Sequence, residues 1–208
     1  EKRIQHRPLP FPLWLAHLFV SLTVFRKIKK LLGIDRARFA LSGAAPISPS
    51  VLEYFHIIGV KVRESYGLTE SSGLISMHKD QNIQLGTCGE IMSGVEVKIA
   101  EDGEILARGN VVFQGYFKDD QKTKETLADG WLHSGDLGQM TEDGHLRVTG
   151  RKKDLIITSG GKNISPQYIE NLLKFNPFIV DAVVIGDGRK YLTAIVIIDE
   201  DNVINYAQ

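Results

Sequence analysis

Residues 37–70 read ARFALSGAAPISPSVLEYFHIIGVKVRESYGLTE, and this stretch decides the fold. Within it, Ala37–Leu41 and Val60–Arg63 are short apolar runs, and Ser48–Ile57 between them has the spacing of a helix. A strand, a helix and a second strand in this order predict a βαβ unit. Because parallel strands end at the same edge of a sheet, the residues that follow each strand are expected to meet in a ligand crevice.

The chain after Gly67 changes to short alternating segments. Val95–Ile99 alternates apolar and polar residues, and Ile105–Ala107 follows an Asp-Gly turn at residues 101–104. Asp-Gly between apolar runs is a strong hairpin signal, and it recurs at residues 142–145. The middle of the chain is therefore predicted to be a β-rich subdomain rather than more doubly wound sheet.

A third pattern begins at Lys153. Leu155–Thr158 predicts a strand, and Pro166–Phe175 predicts a helix with proline at its first position. Ile179–Ile185 and Leu192–Ile198 predict two further strands around a turn. A unit of this size is marginal as an independent domain, so we expect the chain to stop within it.

Upstream, residues 13–32 predict an amphipathic helix. Its apolar stripe recurs at helical spacing through Leu18, Leu22, Phe25, Ile28 and Leu32. We favour a packed surface helix with a solvated basic side, and peripheral contact with a membrane surface is the alternative. The apolar run at residues 11–25 is too short to span a bilayer, so no transmembrane helix is expected.

Bulk composition excludes few functions. The 208 residues contain 25 Lys+Arg and 25 Asp+Glu, so nothing global favours nucleic acid, and no nucleic-acid motif is present. The single cysteine, Cys88, excludes an internal disulfide and fits a reducing cytoplasm. The chain starts at Glu1 with no initiator methionine and no signal-peptide pattern, which suggests a piece of a longer protein. Oligomeric state cannot be read from this sequence.

Small residues follow the first predicted strand. Gly43, Ala44, Ala45 and Pro46 have almost no side-chain bulk, so their backbone can lie against a flat ring. Tyr66, after the second strand, supplies an aromatic face opposite. Taken singly, either segment is better interpreted as an ordinary glycine-rich turn.

Oxygen-bearing side chains complete this candidate nucleotide cradle. The Thr69 hydroxyl suits a phosphate oxygen, and the Glu70 carboxylate suits Mg²⁺, which takes one or two carboxylates plus phosphates. Asp136 could accept two hydrogen bonds from a vicinal diol such as ribose, and Arg151 could reach ribose or phosphate with its planar fork. The ordinary alternatives are a turn aspartate and a surface arginine.

Other chemistries find little support. The six histidines show no metal-ligand spacing. His133 lies near Ser134 and Asp136, but no G-x-S-x-G elbow is present and near neighbours rarely form a catalytic triad.

The motifs in this order resemble the AMP-forming superfamily of acyl-CoA synthetases, luciferases and peptide-synthetase adenylation domains. Tyr66–Glu70 is similar to its Y-G-x-T-E motif, Trp131–Leu137 to W-x-x-T-G-D-L, and Gly150–Asp154 to the G-R-x-K-D hinge motif. Val24–Gly33 and Asp154–Pro166 most resemble a bacterial long-chain fatty acid–CoA ligase.

The resemblance implies a fold and a domain division. The fold class is α/β with a β-rich subdomain. Residues 1–152 would be the C-terminal part of the large adenylate-forming domain, with a helix, an α/β part and the β-rich subdomain. Residues 153–208 would be the start of the small α+β C-terminal domain.

The resemblance also implies a reaction. Such enzymes join a fatty acid to ATP, which gives acyl-AMP and pyrophosphate, and the thiol of coenzyme A then takes the acyl group. The expected cofactors are ATP/AMP, Mg²⁺ and coenzyme A.

Residue roles follow by the same resemblance. The loop at residues 43–46 and the Tyr66 ring would flank adenine, and three neighbours would line the nucleotide: Glu64, Ser65 and Gly67. Thr69 would meet the α-phosphate and Glu70 the Mg²⁺, while Asp136 would hold the ribose with help from Arg151. Lys153 would be the hinge, and Gly160 and Lys162 would lie near the coenzyme A channel.

The sequence departs from the family pattern in places. Ser134 replaces the usual threonine but keeps a hydroxyl, and Ile91 and Ser93 replace two usual prolines. The phosphate loop expected upstream and the catalytic lysine expected downstream are both missing, so this chain alone is predicted to be inactive. Two alternatives stay open: a non-catalytic module that binds nucleotide or packs on a partner, and an adenylating enzyme with another acceptor. Acyl chain length is unreadable.

Overall fold

The computed structural model describes residues 10–45, 47, 49–174 and 176–207, and only the backbone of Pro49 and Ser50.

A long helix opens the described chain. It consists of α1 (Phe11–Val20), one π-helical turn (Ser21–Phe25) and α2 (Arg26–Leu31). At 21 residues it runs beyond the apolar stretch, because the helix continues through the π turn. By length and composition alone it could therefore cross a membrane, contrary to expectation, although one such helix near an N-terminus is weak evidence.

The predicted apolar stripe on this helix meets the protein core only in part. Phe25 and Ile28 pack against a buried hydrophobic cluster. Leu18, Leu22 and Leu32 are exposed. The stripe is therefore not one continuous buried face.

The βαβ unit is confirmed. It consists of β1 (Ala40–Ser42), α3 (Pro49–Ile57) and β2 (Val62–Leu68), and the two strands pair in parallel. Both strands begin later than predicted. The β2 strand also continues through residues 66–68, which the sequence placed in a loop, because a further strand pairs with them there.

That further strand belongs to an antiparallel extension of the sheet. A 3-10 turn at Thr69–Ser71 leads into β3 (Gly73–Met77), and β4 (Glu90–Ile91) follows. The four strands lie in the order β1-β2-β3-β4.

The predicted β-rich subdomain is a five-stranded antiparallel sheet with one short helix. Its elements are β5 (Val95–Ile99), β6 (Glu104–Gly109), α4 (Asp120–Thr126), β7 (Leu127–Ala128), β8 (Trp131–Met140) and β9 (Leu146–Arg151). The strands lie in the order β5-β6-β8-β7, with β9 also paired to β8. The long β8 strand was not predicted, because its Ser-Gly-Asp segment is typical of a turn.

The C-terminal part contains two small antiparallel sheets and two helices. After a 3-10 turn at Lys152–Asp154, its elements are β10 (Ile156–Ile157), β11 (Asn163–Ile164), α5 (Pro166–Leu173), β12 (Ile179–Ile185), β13 (Thr193–Ile198) and α6 (Glu200–Ala207). The strand pairs are β10 with β11 and β12 with β13. The β13 strand is exposed along its whole length.

Two buried clusters lie among the described residues between Phe25 and Val148. One consists of Leu52, Ile58, Val60, Val62 and Leu85, which join α3 to β2. The other joins the two sheets through Tyr66, Ile75, Val95, Ile105, Ala107, Leu132 and Leu146. Because Tyr66 belongs to the second cluster, β2 is fixed directly against the strands that carry the remaining candidate residues.

Candidate active site

Asp136 lies at the centre of the candidate site. It is 5% exposed and sits on β8, opposite Arg151 on β9. Its Oδ2 accepts a hydrogen bond from the Tyr66 hydroxyl at 2.8 Å, and its Oδ1 accepts one from Arg151 Nε at 2.9 Å. The structure thus brings together three predicted residues from three strands.

The local path of β8 orients Asp136. Gly135 has a φ of +70°, a left-handed conformation that favours glycine. The Ser134 hydroxyl donates to the Ile105 carbonyl at 2.6 Å and accepts from the Asp136 amide at 3.0 Å. A hydroxyl at position 134 is therefore part of the turn geometry, which explains how serine can stand in for threonine.

Tyr66 faces inward. Burial is the largest cause that raises the pKa of the Tyr66 hydroxyl. A hydrogen bond with Ser134 lowers this pKa, and the Asp136 carboxylate raises it further. The phenol is therefore neutral and donates its proton to Asp136. Its 9% exposed ring packs among core residues rather than standing open at the sheet edge, so contact with a base remains a prediction.

The Y-G pair has a steric explanation. A Cβ on Gly67 would lie 1.5 Å from the Gly73 carbonyl oxygen, so only glycine lets β3 approach here. The backbone then leaves β2 and turns at Thr69, whose side chain is exposed.

Glu70 follows in the same turn. Its Oε1 accepts a hydrogen bond from the Tyr116 hydroxyl at 2.7 Å, and its carbonyl accepts the Phe113 amide at 2.8 Å. The Tyr116 hydrogen bond lowers the pKa of Glu70, with smaller contributions from Lys122 and Arg151. Glu70 therefore lies within the field of the guanidinium that contacts Asp136.

The small-residue loop lies beside β2. Gly43, Ala44 and Ala45 are exposed, and Pro46 lies outside the described residues. The Ser65 hydroxyl donates to the Ser42 carbonyl at 3.3 Å, and a Cβ on Gly43 would come within 2.9 Å of that hydroxyl oxygen. The loop and β2 thus meet at the shared sheet edge, as expected for neighbouring parallel strands.

Glu64 is placed differently from its predicted role. Its side chain is 9% exposed, and its Oε2 has no hydrogen-bond partner among the described residues. Burial raises its pKa to about 7, and a backbone hydrogen bond from Gly86 lowers it only in part. The structure does not bring this carboxyl to Asp136, because the side chain is enclosed in the protein interior.

The predicted hinge and coenzyme A residues lie beyond β9. Lys153 is exposed in the 3-10 turn that follows Arg151. Gly160 and Lys162 belong to the exposed hairpin between β10 and β11, where Lys162 hydrogen-bonds with Thr158. In the described part of the chain, no hydrogen bond joins this hairpin to Asp136.

The sequence did not reveal three residues that contribute to the candidate site: Tyr116, Glu104 and Lys152. Tyr116 holds Glu70, and the buried Glu104 accepts hydrogen bonds from the Gly135 amide at 2.9 Å and Lys152 at 3.1 Å. One signal was available for Glu104. It ends the predicted turn at residues 101–104, directly before the apolar return strand, and a carboxylate that is drawn into a core must be paired.

One resolved cavity lies elsewhere. It has a volume of about 250 Å³ and is lined mostly by residues that precede or begin β1 and β2, together with Asp80 after β3. It contains no predicted site residue. Among the described residues, no group of three His, Cys, Asp or Glu side chains could hold a metal ion alone.

The structure joins a parallel βαβ edge to a β-rich sheet and holds a carboxylate between tyrosine and arginine, as the resemblance to adenylate-forming domains predicts. The sequence profile of the AMP-binding enzyme family matches residues 14–117. That of the AMP-binding enzyme C-terminal domain matches residues 153–207. The chain belongs to the AMP-binding enzyme family.

Relatives agree with this assignment. The chain is 40% identical to a long-chain-fatty-acid–CoA ligase and 45% identical to a putative fatty-acid–CoA ligase, both of Mycobacterium tuberculosis. The matches cover 89% and 88% of this chain, but only 31% and 33% of those proteins. The chain thus spans about a third of the length of the curated relatives it matches.

Solved structures agree with the fold. The chain is similar to o-succinylbenzoate coenzyme A synthetase from Bacillus subtilis in complex with AMP, with a TM-score of 0.71 and 32% identity. The match covers 78% of this chain and 36% of that one. The same enzyme in complex with ATP and magnesium gives a TM-score of 0.70 at 30% identity, over 82% of this chain and 39% of that one. The predicted family and fold class are confirmed.

Proposed function

We propose that this chain supplies the adenosine-binding part of a long-chain fatty acid–CoA ligase. The whole protein would use ATP to convert a fatty acid to acyl-AMP and then transfer the acyl group to coenzyme A. The observation that carries the proposal is the contact of Tyr66, Asp136 and Arg151 beside the Thr69–Glu70 turn. The names of the curated relatives support a fatty acid as the substrate.

Asp136 would accept the two ribose hydroxyls. A carboxylate has about four acceptor positions, and the observed hydrogen bonds use two of them. The remaining positions suit a vicinal diol. Arg151 would hold the Asp136 carboxylate in place and turn its half-exposed guanidinium toward ribose or phosphate.

Glu70 would hold Mg²⁺ together with phosphate oxygens. Its carboxylate fits this role, because a lowered pKa keeps it ionised and the Tyr116 hydroxyl fixes one oxygen while leaving acceptor positions for a metal. When bound, the ion would neutralise phosphate charge. The exposed Thr69 hydroxyl would donate to the α-phosphate, so the chain's own contribution is positioning and charge neutralisation.

The second half-reaction would use the C-terminal part. We assign residues 1–152 to the large domain and residues 153–208 to the small one, with Lys153 as the hinge. The separate profile match at residues 153–207 supports this division. Gly160 and Lys162 would lie near the coenzyme A channel once the small domain turns.

Calorimetry with AMP tests the nucleotide site. The variant Asp136→Ala removes the acceptor of both ribose hydroxyls, so AMP affinity should fall by about ten- to a hundredfold, the loss expected for hydrogen bonds to a charged group. Asp143→Ala, at an exposed turn position, is the matched control and should bind AMP like the unmodified chain. Equal affinities of the two variants would contradict the site.

Pyrophosphate release with ATP, Mg²⁺ and palmitate tests the activity. This chain alone is expected to give no turnover, whereas a longer protein that contains it should be active. Product mass spectrometry would distinguish coenzyme A from another acceptor, the second candidate. A non-catalytic module would bind AMP yet give no turnover in any longer form.

Location is a separate proposal. We propose a cytoplasmic protein with the helix at residues 11–31 as the candidate for peripheral membrane contact. The exposed apolar residues of that helix and its basic last turn support contact with an anionic surface. Sedimentation with vesicles containing an anionic phospholipid tests this, and unchanged sedimentation with neutral and anionic vesicles would contradict membrane contact.

A further inference from the structure

Glu104 is a buried carboxylate that the proposed mechanism does not yet use. It lies on β6 and is 5% exposed. Its Oε1 accepts the Gly135 amide at 2.9 Å, and its Oε2 accepts Lys152 Nζ at 3.1 Å and lies 3.3 Å from His133 Nδ1. Both oxygens of the carboxylate are therefore satisfied.

The partners of Glu104 flank the adenosine-binding pair. Gly135 immediately precedes Asp136, and Lys152 immediately follows Arg151. One carboxylate thus holds the two chain segments that place Asp136 and Arg151 within 2.9 Å of each other. Asp102, at the turn before β6, shares Lys152 at 2.6 Å.

Charge strengthens this arrangement. Burial alone would favour a protonated Glu104, but hydrogen bonds from Gly135, Lys152 and His133 outweigh burial and lower its pKa. Hydrogen bonds to an ionised carboxylate are stronger than those to a neutral acceptor. The left-handed Gly135 is therefore held by the strong kind of bond.

We propose that Glu104 is a positioning residue for nucleotide binding, which fixes the Asp136–Arg151 pair mainly through the Gly135 amide, with the Lys152 ammonium as a secondary partner. The proposal rests on the proposed function of Asp136. In this role Glu104 would act on the nucleotide only through Asp136 and Arg151. The competing interpretation is a purely structural role, in which Glu104 only pins β6 to β8 and affects stability alone.

Two conservative variants separate the effect of the length of the Glu104 side chain from the effect of its charge. Glu104→Gln keeps an amide oxygen at the same distance for the Gly135 amide but loses the charge that Lys152 contacts. Glu104→Asp keeps the charge but is shorter by one carbon–carbon bond, about 1.5 Å. Because the proposal assigns the effect mainly to the Gly135 amide, Glu104→Asp should bind AMP about tenfold more weakly, the effect of losing one charge-assisted hydrogen bond. Glu104→Gln should stay within about threefold of the unmodified chain.

The experiment measures AMP affinity by calorimetry on the 208-residue chain, with thermal melting and the amide ¹⁵N shifts of Gly135 and Asp136 recorded for each variant. Glu96→Gln, on the exposed Arg108–Glu96 pair of the neighbouring strands, is the control. The expected result is a shifted Gly135 amide and weaker AMP binding for Glu104→Asp, with Glu104→Gln close to the control.

Two results would overturn the proposal: unchanged AMP affinity in a folded Glu104→Asp variant, or equal losses of affinity in both variants that follow their melting temperatures. If Glu104→Asp fails to fold, the comparison moves to Glu104→Gln, where a Gly135 amide shift that departs from the unmodified chain without weaker AMP binding overturns it. Asp136→Ala separates the two levels, because normal AMP affinity in that variant rejects the proposed function itself.

Discussion

Titration of His78 and of Glu64 should change the free energy of unfolding in opposite directions as the pH rises. His78 is fully buried, its Nδ1 accepts the Glu64 amide at 3.1 Å, and its Nε2 lies 3.1 Å from the Gln84 carbonyl. One ring nitrogen accepts and the other donates, so the imidazole is neutral. Burial first, and then the neighbouring His145, lower the pKa of His78 to about 4.

The size and sign of each response follow from linkage. His78 titrates at about 4 when folded and 6.5 when unfolded, so its contribution is present above pH 6.5 and is lost as pH falls through 4. Glu64 titrates at about 7 when folded and 4.5 when unfolded, so its contribution is present below pH 4.5 and is lost as pH rises through 7. Each contribution is on the order of 3 kcal/mol, because a tenfold change in proton affinity between the folded and unfolded states corresponds to about 1.4 kcal/mol.

Between pH 4.5 and 6.5 the pH dependences of these two contributions to the free energy of unfolding nearly cancel in the unmodified chain. Glu64→Gln removes the carboxyl titration, so its unfolding free energy should rise with pH relative to the unmodified chain, by about 1.4 kcal/mol for each pH unit. His78→Asn offers an amide oxygen to the same Glu64 amide, and its unfolding free energy should fall with pH by a similar amount.

Urea denaturation at several values between about pH 4.5 and 7.5 measures these slopes. Glu142→Gln, at an exposed turn, is the control and should parallel the unmodified chain. Parallel curves for all four proteins would refute the reasoning, since they would show that neither buried group changes its proton affinity on folding.

Three further predictions concern packing and the metal ligand. Gly89→Ala should abolish or severely impair folding, because its Cβ would lie 2.0 Å from the Met77 backbone. Gly144→Ala has the same φ of +78° but lies in open space, so it should lower the free energy of unfolding by about 1 kcal/mol, and melting temperatures check both variants. Ile75→Ala, at a fully buried position, should lose about 2–5 kcal/mol in urea denaturation, compared with below about 1 kcal/mol for the half-exposed Ile157→Ala, and similar losses would contradict the assigned core. Tyr116→Phe removes the hydroxyl that fixes Glu70, the proposed magnesium ligand, so calorimetry should show about a three- to tenfold smaller gain in ATP affinity on adding Mg²⁺, with AMP binding unchanged. An unchanged gain in ATP affinity would exclude a role for Tyr116 in magnesium binding.

Local signals account for what could be predicted of the fold. The βαβ unit and the hairpin of Val95–Ile99 with Glu104–Gly109 follow from runs of apolar residues and an Asp-Gly turn. The strand through Tyr66–Leu68 and the long strand Trp131–Met140 were missed, because glycine and polar residues there resemble turns. Their strand character comes from pairing with distant segments, which no local window contains.

The residues of the candidate site were likewise predicted where a local motif marks them and missed where a distant contact places them. The motifs led to Tyr66, Asp136 and Arg151, and the structure brings the Tyr66 hydroxyl and Arg151 Nε each within hydrogen-bond distance of the Asp136 carboxylate. Residues that act through these three were not predicted. Glu104 reaches Gly135 across a strand pair with a register shift, and spacing along one strand does not reveal such a contact.

The π-helical turn at Ser21–Phe25 holds one residue more than an α-helical turn would, because its hydrogen bonds span five residues instead of four. The wider turn absorbs this extra residue, so the helix after it keeps the same face toward the domain. Deleting a single residue there would restore a regular helix and leave Ile28 against the buried cluster that it now contacts. A one-residue alignment gap within these five positions in a related sequence would therefore mark an ordinary α-helix in the same orientation.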